Sequence, residues 1–272
     1  MPNACRFCGT TDRQITKEHV WPDWLREYLP TLGQHGHIER WNSAAGRQQW
    51  QQPILTATVR VFCAACNNGW MSQLEDAAKR IVGPMVIGNA VVLDADDQQI
   101  VANWVALKGL VAAQTSSVEQ PAPESHYRRV YHFKGAPPNT MRVWIGRRLN
   151  LVNPTWPRRA QLFGAHFMPV TDKLSVFPVP PDFERYRSEG GVLNATIFQV
   201  GHFFALALQH DWPGLQARPN PGSAAAGALR PIWPAGRTVE WPPPQPVDDL
   251  GNPHKVTRFL QIAPPLVPVF DP

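Results

Sequence analysis

No run in the 272 residues stays apolar for the ~18 positions that a membrane-spanning helix requires. No internal repeat is apparent, so a stacked-repeat architecture is not expected. The chain opens Met1-Pro2-Asn3 without a basic-then-apolar leader, which points to the cytoplasm and to reduced thiols. Charge is sparse at 17 %, and cysteine is scarcer still, with four in the whole chain. Between Glu124 and Asp172 there is no acidic residue at all.

What is abundant is proline, 29 residues, and tryptophan, 11. That many prolines favour irregular, loop-rich or edge-strand architecture over long helices. An apolar fraction of 43 % is enough for a core, and the length suits one large domain or two ordinary ones. The net charge of +5 mildly favours an anionic partner.

All four cysteines fall in two C-x-x-C pairs, Cys5-Arg6-Phe7-Cys8 and Cys63-Ala64-Ala65-Cys66. Each pair places two thiolates on one tight turn, able to hold the same ion. Two such turns complete a closed four-sulfur shell, which reads as a structural zinc site. Disulfides or free thiols are the weaker alternative, since nothing directs the chain to an oxidising compartment. The pairs bracket Lys17-Glu18-His19-Val20-Trp21-Pro22, and the second runs directly into Asn67-Asn68-Gly69-Trp70.

Along the chain, Ile15-Thr16 begin a strand that delivers His19, and apolar residues at 24, 25, 28 and 29 predict a short helix ending at Pro30. Residues 31–52 are polar and read as a functional loop or local disorder. A strand over 54–62 runs into the second cysteine pair. From Asn68 the period becomes helical, with Gly83-Pro84 as the stop, and Glu75 reads as a solvated helix residue. Residues 84–95 suggest a strand or hairpin. Asp96-Asp97 suggest the cap of a helix over 98–114 whose single apolar face is broken only by Lys108. Strand-like runs follow at 127–133, 141–145, 161–168, 174–178 and 193–208. Beyond about 211, a Pro-, Gly- and Ala-rich stretch reads as an extended wrap over the body.

The paired C-x-x-C turns, the acid-His-apolar-x-Pro element between them and the Asn after the last cysteine resemble the HNH endonucleases of the His-Me finger class. The resemblance covers residues 1–83. The run from Cys63 to Glu75, and the later run from Asp97 to Leu110, also resemble an uncharacterised bacterial and phage subgroup. The fold class this implies is α+β: a zinc-stabilised ββα-metal finger over 1–83, then a larger mixed, Pro-rich domain over 84–272.

The resemblance implies a metal-dependent endonuclease acting on nucleic acid, DNA before RNA, in phage, mobile-element or defence biology. His19 takes the place of the general base, apt because imidazole is largely neutral at cellular pH. Glu18 and Asn67 take the places of ligands to one catalytic Mg²⁺ or Mn²⁺, while Cys5, Cys8, Cys63 and Cys66 hold the structural zinc. Asn68 is the alternative ligand, or a helix cap. Two departures stand out: the family more often carries Asp where Glu18 stands, and often Asn where Thr58 stands. The acid-free tract supplies eight cations for a phosphate backbone: Arg128, Arg129, Lys134, Arg142, Arg147, Arg148, Arg158 and Arg159. Their alternative is an ordinary solvated face. A non-catalytic zinc module that binds nucleic acid or protein is the competing function, and a hydrolase or toxin acting on RNA is a third.

Overall fold

The computed structural model describes residues 4–29, 36–42, 46–52, 56–114, 124–134, 137–138, 141–149, 161–169, 192–210, 216–219, 227–247 and 260–263. Helix and strand are mixed throughout, as an α+β chain requires.

Strand β1 (Ile15–His19) pairs antiparallel with a strand far along the chain, here numbered β4 (Thr58–Cys63). Ile15 faces Cys63 and His19 faces Thr58. The register slips between Thr16 and Glu18, so that Arg60 and Val61 together oppose Lys17. A bulge of this kind bends the ladder and re-aims the side chains around it. Between these strands lie a one-turn helix α1 (Leu25–Tyr28) and a hairpin of β2 (Gly36–Asn42) and β3 (Gly46–Gln52). The described residues of the expected loop over 31–52 are therefore paired backbone. Its polar composition hid a two-stranded antiparallel ladder.

After β4 comes a short helical turn α2 (Ala64–Cys66), then a π-helical turn Asn67–Met71 that kinks at Gly69, then α3 (Ser72–Val86). Helix α3 does not stop at Gly83-Pro84. It runs on to Val86 and ends at Gly88, whose φ of +93° suits a residue without Cβ. Gly88 N–H donates to Met85 O and Asn89 N–H to Pro84 O, the pair of bonds that closes a Schellman terminus. The expected strand or hairpin at 84–95 thus shrinks to β5 (Val91–Leu93).

Helix α4 (Ala95–Ala113) starts one turn earlier than expected. Its cap is Asp94, which accepts from Asp97 N–H at 2.8 Å, rather than Asp96-Asp97. Nor does it bury a single face. Every residue from Val101 to Ala113 is buried, because the helix is covered on all sides. Part of that cover is a five-stranded antiparallel sheet in the order β11-β6-β9-β8-β7. Its strands are β6 (Met141–Arg147), β7 (Gln161–Pro169), β8 (Val192–Val200), β9 (Phe203–His210) and β11 (Arg230–Trp233). A Cβ on Gly109 would lie 2.7 Å from Thr196 Oγ1, so the glycine lets α4 approach β8.

Residues 127–133, expected as a strand, belong instead to helix α5 (Glu124–His132). The β-prone Tyr127, Val130 and Tyr131 also fit a helix that buries Tyr127 and Val130 on one side. The run over 174–178 lies outside the described residues. In the C-terminal stretch β10 (Gln216–Pro219) pairs with β13 (Leu260–Ala263). Strand β12 (Val239–Trp241) pairs with β5. One apolar cluster runs from Cys5 to Trp241, and Phe7 of the first cysteine turn is stacked on Phe62 at 4.6 Å and lies 5.6 Å from Tyr127.

Candidate metal centre and the Glu18–His19 site

The sulfurs of Cys5, Cys8, Cys63 and Cys66 all lie within 4.8 Å of one another, and Cys8 Sγ is 3.6 Å from Cys63 Sγ. A tetrahedron of thiolates at the Zn–S distance of about 2.3 Å has sulfur–sulfur edges of about 3.8 Å. The four cysteines are free thiols and three of them are buried. Cys63 N–H points at Cys5 Sγ at 3.3 Å. The Cys66 thiol beside it, followed by backbone N–H groups of Cys63, Cys8 and Phe7, holds the Cys5 thiol down at about 4 despite its burial. In return Cys5 and burial push the Cys66 thiol up, against the nearby Trp70 indole. Four converging sulfurs, one of them held toward thiolate with an amide hydrogen aimed at it, are compatible with zinc.

This cluster fastens one end of the β1–β4 pair, where Ile15 faces Cys63. Ala64 N–H donates to Gln14 O, and Arg6 N–H to Val61 O. The turn after Cys66 is fastened separately. Asn67 Nδ2 donates to Lys17 O at 2.8 Å and to Thr16 Oγ1 at 3.0 Å. The Lys17 carbonyl it takes up lies at the bulge, where the regular ladder is interrupted. With both amide hydrogens committed to β1, Asn67 keeps Oδ1 for another partner. Asn68 is exposed.

His19 is exposed at the end of β1, opposite Thr58, itself exposed. Glu18 turns the other way, and 12 % of its side chain is exposed. Lys108 Nζ lies 3.2 Å from Glu18 Oε1, 2.8 Å from Glu75 Oε1, and donates to His19 O at 2.9 Å. Glu75 is therefore not a solvated helix residue. Its Oε2 accepts from the indoles of Trp24 and Trp104, each at 2.9 Å. Four elements meet here: β1, the turn before α1, α3 and α4.

Burial pushes the Glu18 carboxyl above its ordinary range, with the Lys108 ammonium opposing. For Lys108, burial pulls down, but the carboxylates of Glu75 and Glu18 outweigh it and hold the ammonium above the usual lysine value. Burying three ionisable groups costs several kcal/mol each, which only close pairing and hydrogen bonds offset. Lys108, Glu75, Trp24 and Trp104 escape a reading of local motifs. The available signal was Lys108 itself, the lone cation in the apolar stretch of α4.

The eight cations of the acid-free tract are scattered in their uses. Arg128 donates to Phe7 O at 3.0 Å and pairs with Glu124 at 2.7 Å. Arg129 is half-buried and Arg147 buries its Nε. Arg142 is half-buried and pushed below its ordinary pKa by burial. Arg148 bonds Gln199 Oε1, and Lys134 stands 4.2 Å from the Tyr131 ring centre. Arg158 and Arg159 lie outside the described residues.

Among the described residues no helix is long and apolar enough to cross a membrane. No protein-family model, no curated protein and no solved structure matches the chain, so this site is read from its own residues.

Proposed function

We propose that the chain is an HNH-type endonuclease that hydrolyses phosphodiester bonds in DNA, built on a zinc-clipped ββα-metal finger. The observation that carries the reading is the bond from Asn67 Nδ2 to Lys17 O. It ties the turn after the last cysteine to the strand that bears Glu18 and His19.

His19, exposed and uncommitted to any ion pair among the described residues, takes the proton from the water that attacks phosphorus. The bond from phosphorus to the 3′ oxygen breaks, and that oxygen leaves with a proton from solvent. Glu18 and Asn67 offer a carboxylate oxygen and an amide oxygen, the hard donors that Mg²⁺ and Mn²⁺ prefer. Such an ion, when bound, supplies positive charge to the phosphate and to the departing oxygen. Lys108 takes Glu18 Oε1 and leaves Oε2 as the oxygen for a ligand. The same ammonium donates to the His19 carbonyl, so one buried cation fixes both the Glu18 carboxylate and the backbone that carries the base.

One observation favours a second reading. Glu18 is largely buried and already paired with Lys108, as in a structural ion pair. On that reading the chain is a non-catalytic zinc module that binds nucleic acid. Incubating the purified protein with supercoiled plasmid, linear DNA and RNA in Mg²⁺, Mn²⁺ or EDTA, beside His19→Ala, separates the two. Metal-dependent cleavage of DNA, lost in the variant, supports the hydrolase. Retarded mobility without cleavage supports the module, and cleavage of RNA alone moves the substrate to RNA.

A further inference from the structure

In an antiparallel pair with one buried face, alternate residues point outward. On β1 those are Lys17 and His19, and on β4 they are Thr58 and Arg60; all four are exposed. The intervening Glu18 and Val59 turn inward, and Val59 is buried. His19 faces Thr58 directly, and the bulge puts Arg60 opposite Lys17. Side chains opposed in this way have Cβ atoms about 5 Å apart, so the four form one continuous patch.

The patch contains two cations, one imidazole, one hydroxyl and no carboxylate. Among the described residues neither Lys17 nor Arg60 forms an ion pair, although Arg26, Lys79, Lys108 and Arg128 all do. Like charges facing each other across a ladder are mutually unfavourable, and an anion between them removes that cost. The larger basic tract is a poorer candidate. Arg128 is spent on the first cysteine turn, Arg148 on Gln199, and Arg142 is half-buried.

We propose that the outward face of the β1–β4 pair is the surface that docks the nucleic-acid backbone, with Lys17 and Arg60 each binding a phosphate beside the one presented to His19. This rests on the nucleic-acid partner proposed above, but it does not require that the chain cleave. Thr58, opposite the imidazole, offers a hydroxyl to the same backbone.

The test is the affinity of the full chain for a fluorescently labelled DNA duplex, measured by anisotropy in EDTA across a salt series. Lys17→Gln and Arg60→Gln are compared with wild type, singly and together. Both positions are exposed, and retained zinc content and circular dichroism establish that the variants fold. Each substitution is expected to raise Kd about three- to tenfold and to lower the slope of log K against log salt by about 0.9, the double variant losing about twice that. If wild type also cleaves, KM rises in the variants while kcat is kept. An unchanged Kd and salt slope in the folded double variant overturns the proposal, as does a wild-type chain that binds no duplex at low salt. Binding that depends on Lys17 and Arg60 without any cleavage would sustain this surface and remove the hydrolase reading.

Discussion

Lys108 Nζ stands 3.2 Å from Glu18 Oε1, across ninety residues of sequence, and its side chain is 1 % exposed. A cation from the middle of the most buried helix thus sets the carboxylate beside the candidate base. Replacing it with a neutral chain of similar length, Lys108→Met, leaves Glu18 and Glu75 facing each other without a counter-charge. The expected loss is about 3–5 kcal/mol of stability, as for one partner removed from a buried ion pair. Urea unfolding measures it; a loss under 1 kcal/mol would mean that the ammonium is dispensable.

Trp24 and Trp104 both donate to Glu75 Oε2. Trp24→Phe removes one charge-assisted hydrogen bond and keeps most of the ring. A loss of about 1.5–3 kcal/mol is expected. A Trp24→Phe/Glu75→Gln double-mutant cycle checks the assignment, because two residues acting through one bond give a combined loss smaller than the sum.

The four-sulfur cluster predicts one zinc per chain, counted by elemental analysis of the purified protein. Cys8→Ser or Cys66→Ser should lose it, and a strong chelator should lower the melting temperature of wild type. Because the ligands must be thiolates, zinc should leave as the solution is acidified. A chain that holds no zinc and melts unchanged in chelator contradicts the site.

Burial raises the Tyr127 phenol to about 12, and its hydroxyl donates to Leu110 O at 2.9 Å. The unfolded phenol ionises near 10, so between these values the folded state keeps a proton that the unfolded state has lost. Stability from this group is full below pH 10 and falls as pH rises toward 12, by about 2–3 kcal/mol in all. Ultraviolet titration should show one of the four tyrosines ionising about two units late. In Tyr127→Phe that late step should vanish.

Asn67→Ala removes the two bonds to β1 along with the amide oxygen. Asn68→Ala touches an exposed side chain. If the proposed site is right, the first should reduce cleavage about a hundredfold or more, while the second stays within about threefold of wild type. Equal effects from the two would reject Asn67 as the ligand.

Local patterns made part of this molecule legible. The C-x-x-C pairs announced the cysteine cluster, because two thiolates on one turn have few other uses. The strand into His19 was signalled by Ile15-Thr16, and the helix after Asn68 by its period. What local pattern could not give was the set of contacts made across the chain. Glu75 looks solvated on its own helix and is engaged only because Trp24, Trp104 and Lys108 arrive from elsewhere. Helix α4 carries too many apolar residues for one face, a sign of all-round burial that an expected amphipathic stripe obscured. Within 31–52, Gly36–Asn42 and Gly46–Gln52 pair through their backbones, where side-chain polarity carries little information.

The proposed hydrolysis requires His19 to remove a proton from water at a phosphodiester held against β1. The most direct measurement is the single-turnover rate of plasmid nicking in Mn²⁺ by wild type and by folded, zinc-loaded His19→Ala. Wild type is expected to nick in a manner that EDTA abolishes, with a fall of at least about a hundredfold in the variant under saturating protein. Equal nicking by the two proteins, or none by wild type with either metal, would contradict it.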